Sequence, residues 1–288
     1  MGCVVAATEY ARLERPSLGY VVEDFVPRPG LTLLIGEPKA GKSYLALQIA
    51  LAVCMGQPVL GAPTIQGTVL YLQFDTSEAS WRRRLLKLER AGVTLPHTLY
   101  LLHPSQTPTR INILDTGFQA LLTRAIMECN PSVVIVDALR EIHNKKEDNS
   151  GDQKVVGEAL LTITQGRATV LIHHTAKLSN KEEIRVVDLP RGTSYWAGRC
   201  DVLLALIDNT FSLVSRDVEN LHAEGTRDKR TGFWRFPILE RRQELRGVCT
   251  QYPALTHKAI SKIVAKDLKL TAHEVHQFLD RQEDCVHQ

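Results

Sequence analysis

From Gly30 onward, short apolar runs alternate with longer segments in which apolar residues recur at helical spacing. The runs at 31–35, 67–74, 132–137, 168–174 and 201–207 lack the polar alternation of a half-exposed strand. That pattern predicts strands buried on both faces. Helical spacing covers 43–55, 78–91, 117–129 and 154–163. The alternation of the two predicts an α/β fold, a mostly parallel sheet flanked by helices. Polar segments at 144–152 and 177–191 interrupt it, each after a predicted strand or its short extension. Both read as mobile loops on the sheet edge where open α/β folds bind ligands. After Arg246 the sheet pattern stops, and 255–281 reads as two short helices, the second opened by Thr271 and Glu274 at capping-box spacing. The chain thus divides into an N-terminal segment over 1–25, which could pack on a neighbouring subunit, a core over 26–247 and a helical tail over 248–288.

Composition narrows the class. With 44% hydrophobic and 23% charged residues among 288, disorder and collagen-like order are excluded. No apolar stretch reaches bilayer length and no basic start precedes an apolar signal segment, so the expectation is a cytoplasmic protein with no membrane partner. Gly2 and Cys3 suggest an acylation start, but Ala6 stands where that pattern needs Ser or Thr. The six cysteines are scattered without a CxxC or zinc-finger spacing and read as reduced thiols. The net charge of +3 is small, yet between Gly225 and Leu270 eleven basic residues face four acidic ones. The last quarter is basic.

Candidate chemistry begins at Gly36, Glu37, Pro38, Lys39, Ala40, Gly41, Lys42 and Ser43, followed by Tyr44. These fit GxxxxGK[ST] directly between a predicted strand and a predicted helix. Glycines let the backbone wrap a phosphate chain, Lys42 reaches its terminal groups, and the Ser43 hydroxyl can ligate magnesium. ATP and Mg²⁺ are therefore the expected cofactors. Asp137, closing the strand VVIVD, is placed either to hold the magnesium shell or to cap a helix. Asp75, after a strand expected beside the P-loop strand, is the first choice to orient an attacking water, with Glu78 as fallback; a helix cap is its alternative.

Taken in order, FVPRPGLTLLIGEPKAGKS, VLYLQFDTSEASWRRRL, PSVVIVDALR, TVLIHHTAK, RGTSYWAGRCDVLLAL and EGTRDKRTG resemble the RecA-type ATPases close to the RepA-like plasmid and phage hexameric helicases, over about Val22 to Pro237. The resemblance implies a RecA-like core, a ring-shaped homo-oligomer, a hexamer in that family, with ATP between subunits, and single-stranded DNA in a central channel. It implies that Lys42 and Ser43 are the P-loop pair, Asp137 the second acid and His174 a strand-end sensor, with His173 in packing. Where the family has Glu, this chain has Asp75. The family's transition-state arginine comes from a neighbouring subunit, and Arg230 is favoured over Arg227 for it, with plain surface charge as the alternative for both.

The two polar loops correspond to the channel lining and offer Lys145, Lys146, Lys177, Lys181 and Arg185 as DNA contacts, although Glu147, Asp148, Glu182 and Glu183 nearly cancel them. Tyr195 and Trp196 read as core more than as base-stacking residues. The tail is either a helix-turn-helix or a hairpin packing on the ring. The expectation is an oligomeric ATP-hydrolysing DNA motor, a replicative helicase or related translocase meeting other replication proteins. A recombination-type ATPase and an ATP-gated DNA-binding or regulatory protein with little turnover are the rivals, and a small-molecule kinase has the least support.

Overall fold

A computed structural model describes residues 19–175, 194–218 and 220–242, with shorter stretches at 6–10, 12, 190, 244–245, 247, 256–265, 268, 270–273, 275–276 and 279. Its elements begin with α1 (Ala7–Tyr10), β1 (Gly19–Val22), β2 (Val26–Arg28), β3 (Gly30–Gly36) and α2 (Lys42–Met55). They continue through β4 (Val69–Gln73), α3 (Glu78–Arg90), β5 (Leu99–Leu102), α4 (Thr116–Cys129), β6 (Val133–Asp137), α5 (Ser150–Ile163) and β7 (Ala168–His174). Then follow α6 (Tyr195–Arg199), β8 (Val202–Ile207), β9 (Thr210–Ser215), β10 (Leu221–Glu224), β11 (Thr226–Arg227), β12 (Trp234–Arg235), α7 (Pro237–Glu240) and α8 (His257–Val264).

The main sheet runs β10-β9-β8-β3-β7-β6-β4-β5. From β8 to β5 every pairing is parallel, whereas β9 and β10 return antiparallel. The fold is the expected α/β class, with helices on both faces. One face packs Leu34, Tyr71, Val133 and Ile172 against α2, Trp81 and Leu88 of α3, Leu239 of α7 and Ile260 of the tail. The other packs Leu33, Leu70, Val134 and Leu171 against Phe118, Leu122, Val156 and Trp196. Helix α2 is apolar nearly all round because sheet, hairpin and tail enclose it.

Three readings change. The strand ending at Gln73 lies beside β6, not beside the P-loop strand, because β3 pairs with β7 and β8. Helix α5 starts at Ser150, inside the segment expected as a loop, because the Asn149 side chain accepts the Asp152 N–H at 2.9 Å and caps it. Strands β5, β9 and β10 have no counterpart in the sequence reading: the first is a short half-exposed edge strand, and β9 returns from β8 through a turn on Asp208 and Asn209, both at positive φ. In the tail, α8 is capped by Thr256, whereas Glu274 of the expected capping box lies outside the described residues. No helix among the described residues is long and apolar enough to cross a membrane.

Candidate functional site: a P-loop cavity

Strand β3 brings Gly36 to the carboxyl edge of the sheet, where a side chain would collide with the Leu206 carbonyl of β8. Only glycine permits that approach. The chain then turns through 37–40 into α2, and Gly41 caps the helix at φ 95°, a conformation glycine adopts without steric cost. No side chain caps α2, so its first amides remain directed at the loop, as anion binding requires.

Lys42 is buried in the first turn of α2. Its Nζ donates to the Gly36 and Glu37 carbonyls, both at 2.9 Å, and lies 3.4 Å from His174 Nδ1. Burial pushes its ammonium pKa down to about 8, against the opposing pull of Asp137, Asp75 and Glu37. A phosphate chain would raise it again, so nucleotide binding takes up a proton above about pH 8. Affinity for ADP should then be nearly constant below that pH and fall by up to about tenfold per unit above it. Calorimetric titrations at about pH 7 and about pH 9.5 check this; equal affinities would remove Lys42 from the phosphate site.

Asp137, at the end of β6 and 1% exposed, accepts a hydrogen bond from the Tyr71 hydroxyl at 2.8 Å and another from Ser43. Burial raises its carboxyl pKa; the two hydrogen bonds and, more weakly, Arg84 oppose the rise, while Asp75 adds to it. It caps no helix: the short turn after it starts from Ala138. A carboxylate and a hydroxyl held together are hard oxygen donors that fit magnesium, which takes few protein ligands and completes its shell with phosphate and water.

Asp75 reaches the same place through the backbone. The Phe74 and Asp75 N–H groups both donate to the Asp137 carbonyl, at 2.6 and 3.1 Å. Its cap reading also lapses, since Ser77 caps α3. Lys42, Ser43, Asp137, Asp75 and His174 line one cavity of about 330 Å³, together with Arg84 and Arg227. Glu78, exposed in the first turn of α3, does not line it. His173 is buried, in keeping with packing.

With this geometry in place, comparison with protein families matches residues 5–180 to a family described as an AAA domain. The chain belongs to this AAA-domain family. No curated protein matches it significantly. Among solved structures, the AAA-domain chain is similar to a KaiC-like protein from the hyperthermophilic archaeon Pyrococcus horikoshii OT3. Identity is 13%, coverage 77% of this chain and 99% of that one, and the TM-score 0.48.

Two arginines are sorted by position. Arg227 of β11 lies against its own P-loop, whereas Arg230 sits in the exposed turn before β12, where its backbone N–H donates to Asp228 Oδ1 at 2.9 Å. Arg230 lines neither the first cavity nor the second beside it. The residue missed from sequence is Arg84. Its guanidinium stacks 4.5 Å from the Tyr44 ring centroid and 4.9 Å from that of Trp81. Nη1 is buried without a hydrogen-bond partner among the described residues. The signal was present: Arg84 stands three residues after Trp81 and four before Leu88, on the inward face of α3.

The DNA candidates are less assembled in this AAA-domain chain. Lys145 pairs with Asp152 at 3.4 Å, and its N–H donates to His143 Nδ1 at 3.2 Å. The Lys146 N–H donates to Asp152 Oδ2, and its carbonyl accepts from Gln153. These bonds give the segment an ordered course. Lys177, Lys181 and Arg185 lie outside the described residues. Trp196 is buried with Nε1 donating to Gln153 Oε1 at 2.8 Å, so it belongs to the core.

Proposed function

We propose that this AAA-domain chain is a magnesium-dependent ATPase of the RecA type, acting as the motor unit of a ring-shaped oligomer on single-stranded DNA, in replicative unwinding or translocation. The observation that carries the ATPase reading is the convergence of Lys42, Ser43, Asp137, Asp75 and His174 on one cavity. Lys42 exchanges the Gly36 and Glu37 carbonyls for the terminal phosphates. Ser43 and Asp137 hold magnesium, which supplies charge neutralisation as the γ-phosphoryl group leaves. Asp75 orients the attacking water, and His174, beside Lys42, senses the γ-phosphate. Arg230, exposed and outside its own cavity, is free in position to act on a neighbouring subunit.

The DNA reading rests on the motif order and on Lys145 and Lys146, which follow β6 on the same sheet edge. ATP hydrolysis by the purified protein with and without single-stranded DNA, alongside its mass in solution with nucleotide, tests the whole. DNA-stimulated turnover in a hexamer-sized assembly is the expected result. Absence of turnover while nucleotide and DNA still bind would select the second reading, an ATP-gated DNA-binding protein, which the short Asp75 carboxylate favours. Asp75→Glu separates the two further. It should raise or preserve hydrolysis if reach limits the rate, and complete loss would show a site built around Asp.

A further inference from the structure

Trp234, on β12, carries a polar group that the site described above does not use. It is 3% exposed, its ring stacks on Phe236 with centroids 5.6 Å apart, and its backbone N–H and carbonyl exchange hydrogen bonds with Gln48 of α2 at 2.9 and 3.0 Å. Everything about the residue is fixed except its indole N–H. Nε1 is buried and has no hydrogen-bond partner among the described residues. An indole nitrogen can only donate, so a buried one without an acceptor costs free energy that an acceptor would recover.

The place of that donor is informative. A Cβ built on Gly41 would lie 2.9 Å from Trp234 Nε1 and 3.1 Å from Arg227 Nη1. Two N–H donors from one hairpin therefore border the last glycine of the P-loop, which any side chain would obstruct. Both residues also line a second cavity of about 480 Å³, which joins the first through Lys39, Tyr44 and Arg227. Lys87 and Lys229 lie on its wall, and none of these four cations has an ion pair among the described residues. The one acid there, Asp228, is occupied by its own turn, accepting from the Arg230 and Thr231 N–H groups and the Thr231 hydroxyl. The space calls for an anionic acceptor.

We infer that the hairpin carrying Arg227 and Trp234 supplies a second phosphate contact within the same chain. The Trp234 indole N–H and the Arg227 guanidinium donate to an α-phosphate oxygen, and the nucleoside extends into the second cavity. The inference rests on the nucleotide reading above and deepens it. Lys42, Asp137 and Asp75 mark the terminal-phosphate end of the P-loop, which leaves the Gly41 side for the proximal phosphate. Arg227 thereby acquires a role toward its own nucleotide rather than a neighbour's.

The test compares Mg·ADP with Mg·pyrophosphate, which can fill the P-loop without an α-phosphoryl ester. In ¹⁵N–¹H spectra of the full chain, the indole cross-peak missing from Trp234→Phe identifies Trp234 among the three tryptophans. That peak should shift on adding ADP and stay in place with pyrophosphate. By calorimetry, Trp234→Phe and Arg227→Ala should each weaken ADP about tenfold while leaving pyrophosphate unchanged. Arg227 is exposed, so its variant tests the contact even if the tryptophan variant folds poorly. An indole peak unmoved by ADP, or equal losses for both ligands, would overturn the inference. Wild-type protein binding neither ligand would instead refute the nucleotide reading itself.

Discussion

Lys42→Ala is expected to lower ATP turnover by roughly 10²- to 10³-fold, the usual loss when one preorganised charge at a transferring phosphoryl group is removed. The fold should survive. Lys42 has a pKa pushed from 10.5 down to about 8 by burial, so the folded state disfavours its charged form. A base depressed in this way weakens the protein below about pH 8, and the penalty fades as pH rises from about 8 toward 10.5. Alanine removes that penalty and suits a helix better. The variant should therefore melt no lower than the parent at neutral pH, with the difference shrinking in alkali. Turnover at parental level would sink the phosphate role, and a large drop in melting temperature would mean that the two hydrogen bonds to Gly36 and Glu37 hold the loop itself.

Asp24→Ala should cost about 3 kcal/mol of stability, the lower end of what breaking a buried ion pair costs, because Asp24 keeps some solvent contact. Arg242 is 0% exposed and lies 3.3 Å from Asp24 Oδ2. Its Nε donates to the Gly61 carbonyl at 3.2 Å, and its guanidinium lies 4.8 Å from the Phe25 ring. One arginine after α7 thus ties that part of the chain to the β1–β2 hairpin. Removing the carboxylate takes the acidic neighbour from a cation in a dry place, whereas removing both charges through Asp24→Ala with Arg242→Met should restore most of the loss. Urea unfolding of the single and double variants measures this. A single-variant loss below about 1 kcal/mol would show the pair to be screened like a surface bridge.

The P-loop and Asp137, the acid proposed to hold magnesium, were legible in sequence because each is local: a glycine pattern between a strand and a helix, and an acid closing an apolar strand. Strands β3, β4, β6, β7 and β8 were legible for the same reason, as their burial on both faces leaves no polar alternation. Strand order was not. That Gln73 pairs beside Asp137 rather than Gly36 depends on crossover geometry, which no local pattern encodes. The side chains that distant elements bring to the two cavities were hidden likewise. Arg84 sits in a run of three arginines and is singled out only by its phase against Trp81 and Leu88. Trp234 joins the P-loop across nearly two hundred residues of chain, through hydrogen bonds with Gln48. Arg227 and Arg230 look alike in sequence and part company only when the hairpin folds one against Gly41 and leaves the other on its turn.

The Asp137 carbonyl receives the N–H groups of both Phe74 and Asp75. A single peptide oxygen therefore fixes the spacing between the side chain proposed to hold the ion and the one proposed to aim the water. These two groups form one mechanical part. A disturbance of strand β6 cannot misplace the first without carrying the second along, so faults there would reach the chemistry as a change of rate with the alignment between the acids preserved. Faults in α3, which begins three residues past Asp75, would do the reverse: they would turn the water-aiming carboxylate while leaving the ion's seat untouched.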